Sequence, residues 1–364
     1  MDRSRGLTTL SNATIRPLAT FTRVPPVTQG VFEQLEPKLK IFLASNSLTT
    51  LPEELFHLDR LTALSLRGNE LRELPSHIGN LQNLKELNIS LNGLRFLPFE
   101  VLDLFSDTGR IQLFQVHPNP FLQPQFPPDE QPEEEESERI QYKIGLSNRK
   151  SPRSRRGAIC SVPPEIHRSW HPQWTASFQA RSDVRYLDNY GILVKGPIFP
   201  KRNESFSSGH QNRVPVADIT ISPVPPTPRG ARISRAPSLL EVALNACNQT
   251  SYPVLESLLY EDSPPYILEL LAEASLQKET GRSKCTICGR KFIVPRTEWI
   301  EWWELAKVTE KKGMASAASP LRQMENERDI LESMIPLMRR GCSWLCVPEK
   351  VPAMEEATKI NDYQ

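Results

Sequence analysis

The chain has 364 residues, with 44 Lys and Arg against 43 Asp and Glu and a formal net charge of +1. That balance removes the simple electrostatic case for wrapping DNA or coating a membrane surface. Hydrophobic residues make up 38% and prolines number 33, whereas globular domains average about 45–50% apolar residues and about 5% proline. Part of the chain is therefore expected to stay outside any core. No window approaches the roughly 18 unbroken apolar residues of a membrane span, so a soluble, monomeric protein without a membrane partner is expected.

Residues 1–31 are expected to form a disordered arm. They lack the apolar stretch of an export signal. Arg3, Arg5, Arg16 and Arg23 lie among Ser and Thr with no acid between Asp2 and Glu33, a composition shared with transit peptides, but Pro17, Pro25 and Pro26 oppose the amphipathic helix of such a peptide. A targeting role stays open. Six cysteines without an export signal imply a reducing compartment: the cytoplasm, with the nucleus as the alternative.

An internal repeat occupies residues 32–121. Leu51-Pro52, Leu74-Pro75 and Leu97-Pro98 recur every 23 residues (74−51, 97−74), and Asn46, Asn69 and Asn92 keep the same step. Leu61, Leu64, Leu66 and Leu71 around Asn69 match Leu84, Leu87, Ile89 and Leu94 around Asn92. Ile41, Leu43, Asn46 and Leu48 are an earlier copy, and Ile111, Phe114, Val116, Asn119 and Phe121 a later one, delayed by four residues. Each Leu-x-Leu predicts a short strand with both leucines inward. Each Asn predicts a side-chain amide bonded to backbone where the chain turns off the strand. A helix bundle would show a 3.6-residue period and no Leu-Pro at every 23rd step. The pattern resembles the intracellular, Ras-group-like class of leucine-rich repeat, LPxxIxxLxxLxxLxLxxNxL, and the resemblance implies an α/β solenoid of about four repeats with a scaffolding role in signalling. The outward strand positions then form a concave face with no nucleophile–base pair or metal cluster. Phe42, Ser65, Arg67, Glu86, Asn88, Gln115 and His117 on it are the candidate protein-binding residues.

Residues 122–237 are expected to form a largely disordered linker. They hold sixteen of the 33 prolines, with an acidic run at Glu133–Glu136 and a basic one at Arg149, Lys150, Arg153, Arg155 and Arg156. Charge blocks of this kind mark solvated chain; a nuclear address or a nucleic-acid contact is the alternative. Pro223-Val224-Pro225-Pro226-Thr227-Pro228 favours polyproline II. Trp170, His171, Trp174, Tyr186 and Tyr190 are unusually aromatic for a linker, so part of 166–199 is expected to fold against a neighbour. Arg232, Arg235 and Ser238 make a basic-directed phosphorylation pattern, and Ser238 with Glu241 three residues on is a helix-capping pair.

Residues 238–364 are expected to form a small, mainly α-helical domain. Helices are predicted from Leu239, from Ser263-Pro264, from Thr297 with Trp299 and Trp303 on one face, and from Ser319-Pro320. Cys285-x-x-Cys288-Gly289 and Cys342-x-x-x-Cys346 together suit a structural zinc site of four thiolates, the glycine permitting backbone N–H groups to approach sulfur. Unpaired buried thiols and a redox Cys-x-x-Cys pair are the alternatives. No P-loop, nucleotide fingerprint or GxSxG elbow appears. The sequence thus describes a non-enzymatic adaptor that binds a protein partner through its repeats and carries a zinc-stapled module. The alternatives are a zinc-dependent nuclear nucleic-acid binder and a cysteine-dependent ubiquitin-transfer or redox enzyme.

Overall fold

The computed structural model describes residues 6–20, 39–125, 170–199, 213–216, 236–249, 264–308 and 334–348. The acidic, basic and proline runs of the middle stretch lie outside these residues. The helix expected from Ser319 does too, apart from Met334, which opens a strand.

The repeat builds a parallel sheet. Strands β1 (Leu39–Phe42), β2 (Leu61–Ser65), β3 (Glu86–Asn88) and β5 (Leu113–Gln115) lie in the order β1-β2-β3-β5, with β4 (Leu97–Pro98) outside it. Ile41, Leu64, Leu87 and Phe114 stand in register across the sheet, so one apolar side chain per coil stacks on the next. The repeated asparagines stitch neighbouring coils. Asn69 Nδ2 donates to Leu43 O at 2.9 Å and Leu66 O at 2.8 Å, and its Oδ1 accepts from Leu48 N at 3.1 Å. Asn92 repeats this one coil on, with Leu66 O, Ile89 O and Leu71 N. Buried amides thereby satisfy backbone groups that the turn would otherwise orphan. After each Leu-Pro the chain makes a 3-10 turn, at Glu53–His57, Ser76–Asn80 and Phe99–Phe105. The last is seven residues rather than five, and at this point the Asn-to-Asn step stretches from 23 to 27 residues (92−69, 119−92).

Within the arm, expected to be disordered, residues 12–20 form a helix. Helix α1 (Asn12–Thr20) covers the first coil, burying Ile15 and accepting Glu54 N on Asn12 Oδ1 at 3.0 Å.

A second, six-stranded sheet runs β4-β14-β13-β8-β9, with β7 also paired to β13; its further members are β7 (Trp174–Arg181), β8 (Arg185–Leu187), β9 (Leu193–Lys195), β13 (Thr297–Lys307) and β14 (Met334–Gly341). Two corrections follow. The segment from Thr297, expected as a helix, is the eleven-residue strand β13. It is buried on both faces and flanked by antiparallel partners, so the alternation that marks a half-exposed strand is erased. Glu298, Glu301 and Glu304, spaced three apart, imitate a helical period, while Thr, Ile and Trp prefer the pleated surface. The stretch around Trp174–Arg181, expected as linker, is a strand of the same sheet. Its aromatic content was the signal: Trp174 Nε1 donates to Ile111 O at 2.8 Å and its ring meets Phe105 edge to face at 5.0 Å.

The carboxy-terminal third is accordingly mixed rather than mainly helical. Its helices α2 (Leu239–Gln249) and α3 (Pro265–Thr280) do form where apolar periodicity places them, and they pack on each other through Leu244, Leu270 and Leu271. The faces of β13 join two cores. Trp303 packs with the repeat leucines, while Ile300 and Trp302 pack with Leu122, Phe199, Val214 and Met338. Between Trp299 and Trp303, Glu301 is fully buried; it accepts from both indoles and from Arg339 Nη1 at 3.0 Å. Because β14 pairs in parallel with Leu97-Pro98, the repeat and the second sheet form one continuous body.

Candidate metal centre and candidate binding face

Two elements bring four cysteines to one point. The hairpin of β11 (Ser283–Lys284) and β12 (Lys291–Phe292) holds Cys285 and Cys288 in its turn. Cys285 N donates to Arg290 O and Gly289 N to Cys285 O, closing a tight loop. Gly289 takes φ +72°, a left-handed backbone that side chains oppose, although a Cβ there would meet nothing within 4 Å. The other pair follows β14. Gly341 packs so closely on Thr297 Oγ1 and Cys346 O that no side chain fits, and the turn after it presents Cys342 and Cys346, Cys346 N donating to Ser343 O at 2.9 Å.

The four sulfurs lie within 4.8 Å of one another. Individual separations are 3.5 Å for Cys288–Cys342, 3.8 Å for Cys342–Cys346 and 3.9 Å for Cys346–Cys288. A tetrahedron with metal–sulfur bonds of about 2.3 Å has edges of about 3.8 Å, so the donors fit a tetrahedral ion. All four thiols are free. Cys288 N points at Cys285 Sγ at 3.4 Å, the kind of outer contact that steadies a thiolate ligand. The electrostatics agree. The Cys342 hydrogen bond and backbone N–H groups pull the Cys285 thiol down to about 4. Its hydrogen bond to Cys285 and burial hold Cys342 up, and burial and the neighbouring Cys285 charge push Cys346 up to about 12. The cluster thus admits one negative charge easily and resists more, which a central cation would reverse.

Thr286, inside the first cysteine pair, anchors the hairpin to the body. Its carbonyl and hydroxyl accept from Arg339 Nη2 and Nε, each at 3.3 Å, and its N–H donates to Arg340 O at 3.0 Å. Arg339 stacks over Phe99 at 4.3 Å. Sequence reasoning placed the cysteines but missed this buried link, because nothing around Arg339 signals a partner as distant in the chain as Thr286.

On the outer face of the parallel sheet the strands align two rows. Phe42, Ser65, Asn88 and Gln115 form one, and Lys40, Ala63, Glu86 and Leu113 the other. Phe42 is 68% exposed and Leu113 46%. Arg67, Glu86, Gln115 and His117 are exposed, and Ser65 and Asn88 half-buried. Asn88 Nδ2 donates to Gln115 Oε1 at 2.6 Å, Lys40 lies 3.8 Å from Glu86, and His117 meets Phe121 edge to face at 5.4 Å. Phe42, Ser65, Glu86, Asn88 and Gln115 therefore share one face, with exposed apolar groups on its two outer strands and two polar pairs, Asn88–Gln115 and Lys40–Glu86, on it. Leu113, absent from the sequence-derived set of binding residues, belongs with it.

Ser238 caps α2, accepting Glu241 N at 3.1 Å. The Glu241 carboxylate accepts from Ile293 N and Val294 N, tying α2 to the bend that follows the hairpin. Arg232 and Arg235 lie outside the described residues.

No helix among the described residues is long and apolar enough to cross a membrane. No family model matches the chain, and no curated protein is found similar to it. Among solved structures, a leucine-rich repeat protein of Leptospira interrogans is 35% identical over 24% of this chain and 21% of its own, with a TM-score of 0.22. The likeness is confined to about a quarter of this chain and about a fifth of the length of that protein.

Proposed function

We propose that the protein is a binding adaptor of the cytoplasm. Its repeats, of the Ras-group-like leucine-rich class, dock a protein partner on the outer face of the parallel sheet, and its four cysteines hold a structural zinc ion. The observation that carries this reading is the pair of exposed apolar side chains, Phe42 and Leu113, on a face where Asn88 pairs with Gln115 and Lys40 with Glu86, over a buried leucine core. Interfaces place apolar anchors among near-neutral polar contacts. In this reading the face acts by binding, without chemistry of its own, and the protein works as a monomer.

The test is a photo-crosslinking amino acid placed at position 42 or 113 of the full chain, with the exposed position 272 on α3 as control. A discrete conjugate to one protein from 42 and 113, lost on adding Arg67→Glu, supports the reading. Equal yields from all three positions exclude it. For zinc, the expected content is one ion per chain, lost in Cys342→Ser. A metal-free wild-type chain that keeps its fold would exclude the staple.

A phosphate on Ser238 would sit at the amino terminus of α2, where the helix dipole favours negative charge. Unchanged phosphate incorporation in Ser238→Ala excludes that site.

A further inference from the structure

A cavity of about 410 Å³ opens where the repeat turns, α3 and the end of β14 meet, within the roughly 300–1,000 Å³ span of small-molecule sites. Part of its lining is an ion network closed on itself. Arg340 bonds Glu73 and, at 3.0 Å, Glu298, and Arg185 meets the second oxygen of Glu298 at 3.1 Å. Two cations and two anions cancel there, leaving little charge to recognise a ligand.

The wall made by α3 is different. Glu269, Glu273 and Gln277 line the cavity at successive i+4 positions, so one stripe of the helix presents three acceptor-bearing side chains. Gln277 is only 6% exposed. Its Nε2 donates to Glu273 Oε1 at 2.8 Å and to Ile293 O at 2.9 Å, which fixes the amide so that Oε1 is the remaining acceptor. That Oε1 is buried and has no hydrogen-bond partner. A buried acceptor without a donor is a standing cost that a donor relieves. Outside the closed network, the charged lining is Glu100, Glu269 and Glu273 against Lys284, so acceptors exceed donors.

We propose that this cavity binds a guanidinium group, its N–H donors shared between Gln277 Oε1 and the Glu273 carboxylate, with Glu269 two turns away adding negative charge to the same wall. An ammonium presents a point charge, whereas the planar guanidinium fork reaches an amide oxygen and a carboxylate together. The group belongs either to a free arginine-like molecule or to an arginine side chain of a peptide; the chemistry is shared. The proposal is independent of the adaptor reading, since crosslinking at position 42 can fail with this site intact.

The test is calorimetric titration of the full chain with three probes: arginine amide, an acetylated Gly-Arg-Gly amide, and lysine amide. Saturable binding of an arginine probe is expected, with lysine amide roughly tenfold weaker. Glu269→Gln with Glu273→Gln, both at exposed positions, is expected to weaken the arginine probes roughly tenfold or more with an unchanged denaturation midpoint. Gln277→Leu is expected to weaken them where it folds. Tighter binding of the free amide assigns a small molecule, and tighter binding of the tripeptide assigns a peptide. No saturable binding, equal binding of lysine amide, or unaltered affinity in the double variant overturns the proposal.

Discussion

At Gly281, where α3 ends, the backbone takes φ +85°, and a Cβ there would lie 2.7 Å from His77 Nδ1 and 2.9 Å from Glu53 Cδ. His77 is buried, so its ring has no open space into which to yield. Gly281→Ala should therefore cost at least about 2 kcal/mol, joining an unfavourable φ to a clash, as read from the denaturant midpoint. His77 itself gives a pH dependence. Burial, then Lys284 and Lys291, lower it from 6.5 to about 4; Glu53, 3.5 Å from Nε2, does not offset them, so the ring stays neutral. The unfolded chain takes up the proton near pH 6.5 and the folded one resists it until about pH 4. This contribution is therefore complete above pH 6.5 and lost as pH falls towards 4, at about 1.4 kcal/mol per unit. Denaturation midpoints between pH 7 and pH 4.5 should fall less steeply in His77→Leu than in the wild type.

The single coil is the unit that the sequence displays most openly. Leucine spacing and the Asn step locate strands and turns because each coil meets the same neighbours, so one local rule repeats. Asn92 shows the energetic core of that rule. Replaced by Ala, it strands Leu66 O, Ile89 O and Leu71 N in the interior, and a loss of roughly 2–4 kcal/mol is expected at about 1–3 per buried group with partial relaxation. Thermal unfolding of Asn92→Ala beside the exposed Asn80→Ala measures it. The strand β13 was illegible for the opposite reason. Its identity depends on partners more than 100 residues away, Trp174–Arg181 among them, and burial on both faces removes the alternation a reader relies on. The cysteine cluster lies between these cases: spacing exposed the four residues, and only the fold shows that their sulfurs converge.

Across the whole molecule, one chain of contacts runs from the sulfurs to the repeat: Thr286 to Arg339, Arg339 to Glu301 and Phe99, Glu301 to Trp299 and Trp303. Were the proposed zinc withdrawn, the loop holding Thr286 would lose its clasp and Arg339 two of its acceptors. A buried cation short of partners is destabilising. Chelation of the full chain is thus expected to change the near-ultraviolet circular dichroism of the buried indoles, and Glu301→Gln to reproduce that change with zinc retained. An unaltered aromatic signal after complete metal loss rejects the linkage.

Leu97-Pro98 has a double allegiance. By motif it opens a coil of the repeat, yet its backbone completes the neighbouring sheet beside Leu337 and Met338. A cut anywhere between the two architectures leaves one with a bare edge and the other with its tryptophans uncovered. Grafting these coils onto a foreign scaffold, or swapping the tail between proteins, would for that reason yield sticky fragments.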